Sequence, residues 1–207
     1  PPLTFSTPES FFPLPLAPTP DERATLSAAF VRDLYSRGDD SLWTPAAPYY
    51  AALAEQLALS GLSYSAIGLF STDDGDDGGV VQCAFTVAAV ETDQTDPETA
   101  AHGILAALAS DPTNDARLLD LPCGPAVTCV TLREVTLSPE ITASGNEEQL
   151  LTGQIQAHVP FPAGPYTAVF TLHTASTEYW GEFCDMIVDI LRTVAFTSPV
   201  NEPATPN

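Results

Sequence analysis

The sequence predicts an α+β domain, with a mainly antiparallel sheet of five to six strands, helices packed on it, and an extended Pro-rich N-terminal arm. Three observations predict it. Apolar residues recur at helical spacing after residues 20, 44, 96 and 178, whereas 62–71, 80–91, 124–137 and 154–173 have the texture of strands, with apolar and polar residues alternating in the second and in the last. Gly, Pro and Asp cluster at the junctions between these segments. A chain of 207 residues buries one core comfortably, so 21–196 reads as a single domain, with 1–20 as the arm and 197–207 as a Pro-containing tail.

The arm holds seven prolines among Phe5, Phe11, Phe12, Leu14 and Leu16. Proline fixes φ and removes a donor, so the segment is extended rather than helical. Its apolar side chains require a dry surface, on this domain or on a partner. Thr19-Pro20-Asp21-Glu22 then places an N-cap, a first-turn proline and a capping-box glutamate in order. Leu26, Phe30 and Leu34 follow at four-residue spacing, which predicts a helix to about Arg37 that stops at Gly38. Thr44-Pro45 is a second start signal, with Tyr49, Leu53, Gln56 and Leu57 on one face and Gly61 as the stop.

From Leu62 the texture is that of strands. Those at 62–71 and 80–91 are joined by the Gly/Asp turn 73–79, and Val81, Cys83, Phe85, Val87 and Ala89 alternate toward a core. Asp96-Pro97-Glu98 opens a third helix carrying Ile104, Leu105 and Leu108, which ends near Ser110. Gly124–Leu137 is a long strand with Val127, Cys129 and Val135 on one face and Ala126, Val130 and Leu132 on the other, the pattern of a central position. Pro139 breaks it.

Ile155, Ala157, Val159 and Phe161 alternate with polar residues, and beyond Pro162–Pro165 so do Tyr166, Ala168, Phe170 and Leu172, which makes a hairpin. Both apolar sets must share a face, so Phe161 lies opposite Tyr166, Val159 opposite Ala168 and Ile155 opposite Leu172. Tyr179, Phe183, Met186, Ile187, Ile190, Leu191 and Val194 then form the apolar side of a last helix. Glu178, Glu182, Asp185 and Asp189 line its outer side.

The order from 117 to 196 carries a resemblance. Leu119-Asp120-Leu121-Pro122-Cys123-Gly124-Pro125-Ala126-Val127, a paired strand, a hairpin ending in Tyr166 to His173 and a long helix closing with Val194-Ala195-Phe196 together resemble the PsbP-like α/β/α sandwich family, which includes small exported lipoproteins of actinobacteria. The resemblance covers under half the chain and rests on pattern. It implies an antiparallel sheet with helices on both faces and a non-enzymatic accessory or adaptor role, and brings no catalytic residues with it. The chain departs from those lipoproteins in having no N-terminal lipid-acceptor cysteine and in its added arm and helix pair.

Charge and composition narrow the function. With 27 acidic residues against six basic ones the formal charge is −21, so phosphate backbones and anionic lipid surfaces repel the chain, and nucleic acid is excluded as a partner. Basic proteins or cations are the charged partners it suits. All six basic residues are arginine, which excludes P-loop hydrolysis, kinase chemistry and Schiff-base catalysis, each dependent on lysine. The lack of lysine beside abundant Ala, Pro, Asp and Thr matches a GC-rich, actinobacterial type of genome, with salt adaptation as the competing explanation. No apolar run approaches the roughly 20 residues of a membrane-spanning helix, and the basic-then-apolar layout of a signal peptide is missing.

Cys83, Cys123, Cys129 and Cys184 read as thiols, which favours a cytoplasmic over an exported setting without fixing it. Cys123 and Cys129, six apart in extended chain, lie about 20 Å from each other, beyond disulfide reach. Neither a CxxC spacing nor any cofactor signature occurs.

Three sets of residues are candidates for chemistry or binding. The acidic turn Asp73, Asp74, Asp76 and Asp77 offers carboxylates to a hard cation, yet the EF-hand glutamate is replaced by Ala84 or Phe85, and a solvated turn is the simpler reading. Gln154, Gln156, His158, Thr167, Thr171 and His173 share the polar face of the hairpin and form a platform for a ligand or peptide. His158 and His173 sit about 13 Å apart along it, too far to share one metal. The arm residues and the Glu178, Glu182, Asp185, Asp189 stripe form a protein-binding set. Gly61-Leu62-Ser63-Tyr64-Ser65 fails as a nucleophile elbow because it lacks the closing glycine and leads into a strand.

The leading expectation is a non-enzymatic interaction protein, an adaptor or accessory subunit of a larger bacterial assembly, with a basic protein or a second copy as partner. The alternatives are a metal-dependent or other hydrolase using the acidic turn or the histidine face, and an acidic immunity-type inhibitor of a basic toxin.

Overall fold

The computed structural model describes residues 3–71, 79–139, 142 and 144–197. The turn bearing Asp73, Asp74, Asp76 and Asp77, and the tail beyond Thr197, lie outside the described residues. In chain order the elements are β1 Leu3–Thr4, β2 Phe11–Pro13, α1 Pro20–Leu34, α2 Asp40–Leu59, β3 Leu62–Ser71, β4 Val80–Glu91, α3 Pro97–Leu108, β5 Asp115–Leu121, β6 Gly124–Leu137, β7 Glu148–Pro160, β8 Tyr166–Thr174, α4 Trp180–Arg192 and β9 Ala195–Phe196. A 3-10 turn, Thr177–Tyr179, precedes α4. The fold is α+β. Its main sheet has seven strands, one or two more than the sequence predicted, in the order β2-β3-β4-β8-β7-β6-β5 with every neighbour antiparallel.

The additional strands come from the arm and from β5. Phe11–Pro13 pairs with β3 as a three-residue edge strand, where Pro13 is tolerated because one side of an edge needs no donor. Leu3 and Thr4 pair with Phe196 and Ala195 in a second, two-stranded sheet. The arm is thus extended, as proline requires, but built into the domain. β5 pairs with β6 through the two-residue turn Pro122-Cys123, which puts Cys123 at a hairpin tip instead of in extended chain.

The hairpin register holds residue for residue: Val159 faces Ala168, Ile155 faces Leu172, and Phe161 N–H donates to the Tyr166 carbonyl at 2.9 Å. One face of the sheet carries Cys83, Phe85, Ala157, Phe170 and Leu172, covered by Phe183, Ile187, Ile190 and Leu191 of α4. On the opposite face Phe12 and Ile67 meet the α1–α2 pair, whose core is Leu14, Phe30, Val31 and Tyr50. α3 packs over β5, β6 and β7, and Val127 and Cys129 of β6 are buried.

Three helix details differ from the sequence reading. In α1 the buried face is Arg23, Ser27, Phe30 and Val31, and Leu26 is exposed. The rotation follows Arg23, whose guanidinium donates to the Ala17 and Pro18 carbonyls at 2.9 and 3.1 Å and to Glu55 of α2 at 2.9 Å. α2 starts a turn before Thr44, because Asp39 caps it by accepting from Ser41 N–H at 2.9 Å, and it carries Pro45 and Pro48 inside its length. Tyr50 and Ala54 are its buried residues, Leu53 and Leu57 of the predicted face pack half-buried against the same core, and Tyr49 and Gln56 are exposed. Gly61, at φ 81°, ends it as predicted. The 3-10 turn takes Glu178 off the α4 stripe.

Trp180, at the start of α4, packs against β7 where Gly153 has no side chain, and a methyl group there would overlap the indole at Cζ3. Gly153→Ala should lower stability by about 1–3 kcal/mol, because the indole must lift off the sheet. A Tm fall accompanied by a red-shifted tryptophan emission is the expected signature; unchanged emission would show that the ring does not depend on this approach.

Candidate functional site

The two parts of the predicted protein-binding set meet, though not through the predicted arm side chains. Phe5 is ringed by Tyr64, Phe85 and Phe170 at centroid distances of 5.1, 6.1 and 5.5 Å. Phe11 and Leu14 are buried, and Phe12 and Leu16 are half-buried. Phe5, Phe11, Phe12 and Leu14 serve the domain's own core in place of a free docking surface, since strand pairing on both sides of Ser6–Ser10 gives the arm backbone partners and its rings fill gaps between sheet and helices.

What the arm offers outward is the segment between those strands. Ser6 N–H donates to Thr193 Oγ1 at 2.9 Å, and that hydroxyl donates to the Ile190 carbonyl at 2.6 Å, which fastens the arm to the end of α4. Ser6, Thr7 and Pro8 therefore run beside the helix and enclose a groove of about 540 Å³. Met186 and Ile190 line it, and Glu182, Asp185 and Asp189 stand exposed along it. Asp189 is paired with Arg192 at 3.1 Å. Glu178, on the 3-10 turn, does not line the groove.

The polar sheet face is assembled as the register requires. Gln154 lies between Thr131 and His173, Gln156 between Cys129 and Thr171, and His158 between Val127 and Val169. His173 is exposed, whereas His158 Nε2 and Thr167 Oγ1 are buried without a hydrogen-bond partner. Burial lowers the His158 pKa below its ordinary value, so its imidazole is neutral at pH 7. His102, on α3, is exposed and bonded through Nδ1 to the Glu98 carbonyl at 2.9 Å. Among the described residues no three His, Cys, Asp or Glu side chains converge as a metal site would require.

The folded-state pKa of His158 lies below the roughly 6.5 of an unfolded chain, so its contribution to stability is present above that pH. It is lost as pH falls from there through the lower folded value. His158→Leu should therefore flatten the fall in Tm between pH 7.5 and 5.5 relative to wild type. Parallel curves for the two proteins would assign the acid limb to other groups.

The four cysteines are free. Burial pushes the Cys83 thiol up to about 12 and raises Cys123, Cys129 and Cys184 as well, with Asp185 adding to the effect at Cys184. Each is a poor nucleophile at neutral pH.

A third feature was not legible in the sequence. β6 is second from an edge, and its outer neighbour β5 covers only Gly124–Val130, while β7 meets β8 only from Gly153 onward. Beyond those points β6 and β7 continue to pair with each other as far as Leu137 opposite Glu148, as a two-stranded ribbon that overhangs the sheet. Leu132, Val135 and Leu151 are 56%, 41% and 44% exposed on it. Leu132 and Leu151 share the face on which Trp180 covers Gly153, and Val135 lies on the other. The two apolar faces that suggested a central strand are real. Its apolar residues simply outrun the sheet.

No model of a known protein family matches the chain, and no curated protein does so. No helix among the described residues is long and apolar enough to cross a membrane.

Proposed function

We propose that this chain is a non-enzymatic interaction protein, an adaptor or accessory subunit that docks through the β6–β7 ribbon. The observation that carries this reading is the exposure of Leu132, Val135 and Leu151 on a ribbon whose two outer edges have no strand partner among the described residues. Unpaired strand edges invite strand addition, and an apolar ribbon held out from its own core gains by being covered. The accessory role implied by the PsbP-like resemblance supports it, as does the raised pKa of every thiol.

The test is affinity capture from extract of the source organism, with wild type beside a Leu132→Ser, Val135→Ser, Leu151→Ser variant. Wild type should retain a discrete partner at near-stoichiometric yield, and the variant, with an unchanged circular dichroism spectrum, should lose it. Equal capture by both proteins, or no partner for either, would overturn the reading.

A further inference from the structure

The geometry points to a second docking surface, the groove between Ser6–Pro8 and α4, whose occupant is a basic amphipathic helix of a partner protein. This inference does not rest on the ribbon. The groove combines an apolar lining, Met186 and Ile190, with exposed carboxylates at Glu182, Asp185 and Asp189. At 540 Å³ it has room for a few side chains, within the usual range of binding pockets. Its partner must therefore present apolar side chains to the lining and cations beside them.

The spacing selects a helix over a strand. Along α4 the three carboxylates are separated by three and then four residues, which are rises of about 4.5 and 6 Å. Lysine or arginine at i, i+3 and i+7 of a second helix laid alongside reproduces those rises, with apolar side chains at the intervening same-face positions. Same-face residues on a strand recur every 6.6–6.8 Å or so and fall out of step with the first pair. Charge selects the sign. In a chain of net charge −21 the only cation paired within this stripe among the described residues is Arg192, on Asp189, so a basic partner is attracted from a distance and an acidic one is repelled. The arm segment, fastened by Ser6 to Thr193, gives the groove a fixed second wall.

The probe is a labelled synthetic peptide of about 18 residues, ~27 Å long when helical, built from Lys, Leu and Ala with Lys at i, i+3 and i+7. Its control is a scrambled peptide of the same composition. Fluorescence anisotropy should show one-to-one binding of the patterned peptide that weakens about ten-fold between 20 and 300 mM NaCl. Glu182→Gln, Asp185→Asn, Asp189→Asn should loosen it by a further factor of about ten. Met186→Ser should weaken it without changing the salt dependence. An equal loss of net charge by Glu91→Gln, Asp93→Asn, Glu98→Gln, on residues exposed elsewhere, should change affinity less than about two-fold.

Three results would overturn the assignment: equal binding of the scrambled peptide, equal losses from the two neutralised variants, or no binding at 20 mM NaCl. The first two would reduce the effect to general attraction by an acidic molecule. Since the ribbon is intact in every protein used here, these outcomes are separate from those of the capture experiment.

Discussion

Phe11→Ala should lower the unfolding free energy by about 3–5 kcal/mol, a large part of the 5–15 or so that a domain of this size has in total. The ring is 5% exposed and meets Phe70 and Phe85 edge-on, each at 5.7 Å between centroids. Truncation leaves a cavity that the sheet cannot close, because β2 is held in place by its pairing of Phe11 with Gly68, Phe12 with Ile67 and Pro13 with Ala66. Leu16→Ala, at a half-buried position beyond β2, should cost about 1 kcal/mol and serves as the control within the same segment. Phe5 shares Phe85 with Phe11, so Phe5→Ala combined with Phe11→Ala should depart from additivity. Urea titration followed by circular dichroism measures all four proteins. A Phe11→Ala loss below about 1 kcal/mol would mean that the arm is only loosely attached to the domain.

Arg23→Met should lower stability by about 2–4 kcal/mol. The residue is 7% exposed, and its removal strands two acceptors, the carbonyls of Ala17 and Pro18, at the junction where the arm enters α1. The ion pair with Glu55 adds less, because that carboxylate is half exposed and water takes over part of its interaction. The expected cycle is therefore asymmetric: Glu55→Met alone should cost under about 1 kcal/mol, and the double variant should resemble Arg23→Met. Amide exchange should quicken along α1 and α2 before it does in the sheet. A variant within about 0.5 kcal/mol of wild type would assign the α1–α2 contact to Phe30, Val31 and Tyr50 alone.

Local chemistry makes much of this fold readable in the sequence. Thr19, Asp96 and Gly61 each act on the few residues beside them, and the structure shows all three performing the predicted cap or stop. The hairpin register was legible for a similar reason, since one face of two neighbouring strands must be apolar. Position within the sheet was not. Whether Leu132 and Val135 meet a core or water depends on how far β5 and β8 extend, and those strands are set by residues remote in sequence. The rotation of α1 was hidden because Arg23 is buried by three hydrogen bonds that only the folded chain brings to it. The groove was half visible. Its carboxylates were in the α4 periodicity, but its other wall exists only because Ser6 reaches Thr193 across 187 residues of chain.

That long reach has a mechanical counterpart in the pairing of Leu3 with Phe196 and Thr4 with Ala195. Because the two segments run antiparallel, whatever polypeptide is attached before the first and after the last departs from a single spot on the surface. A linkage made at Leu3 or at Phe196 would therefore leave the surface at the same spot, and a short peptide bridge between those two residues would close the backbone into a ring. Tension applied between the two ends would part β1 from β9 like a zipper, one bond at a time, the geometry that yields at the lowest force.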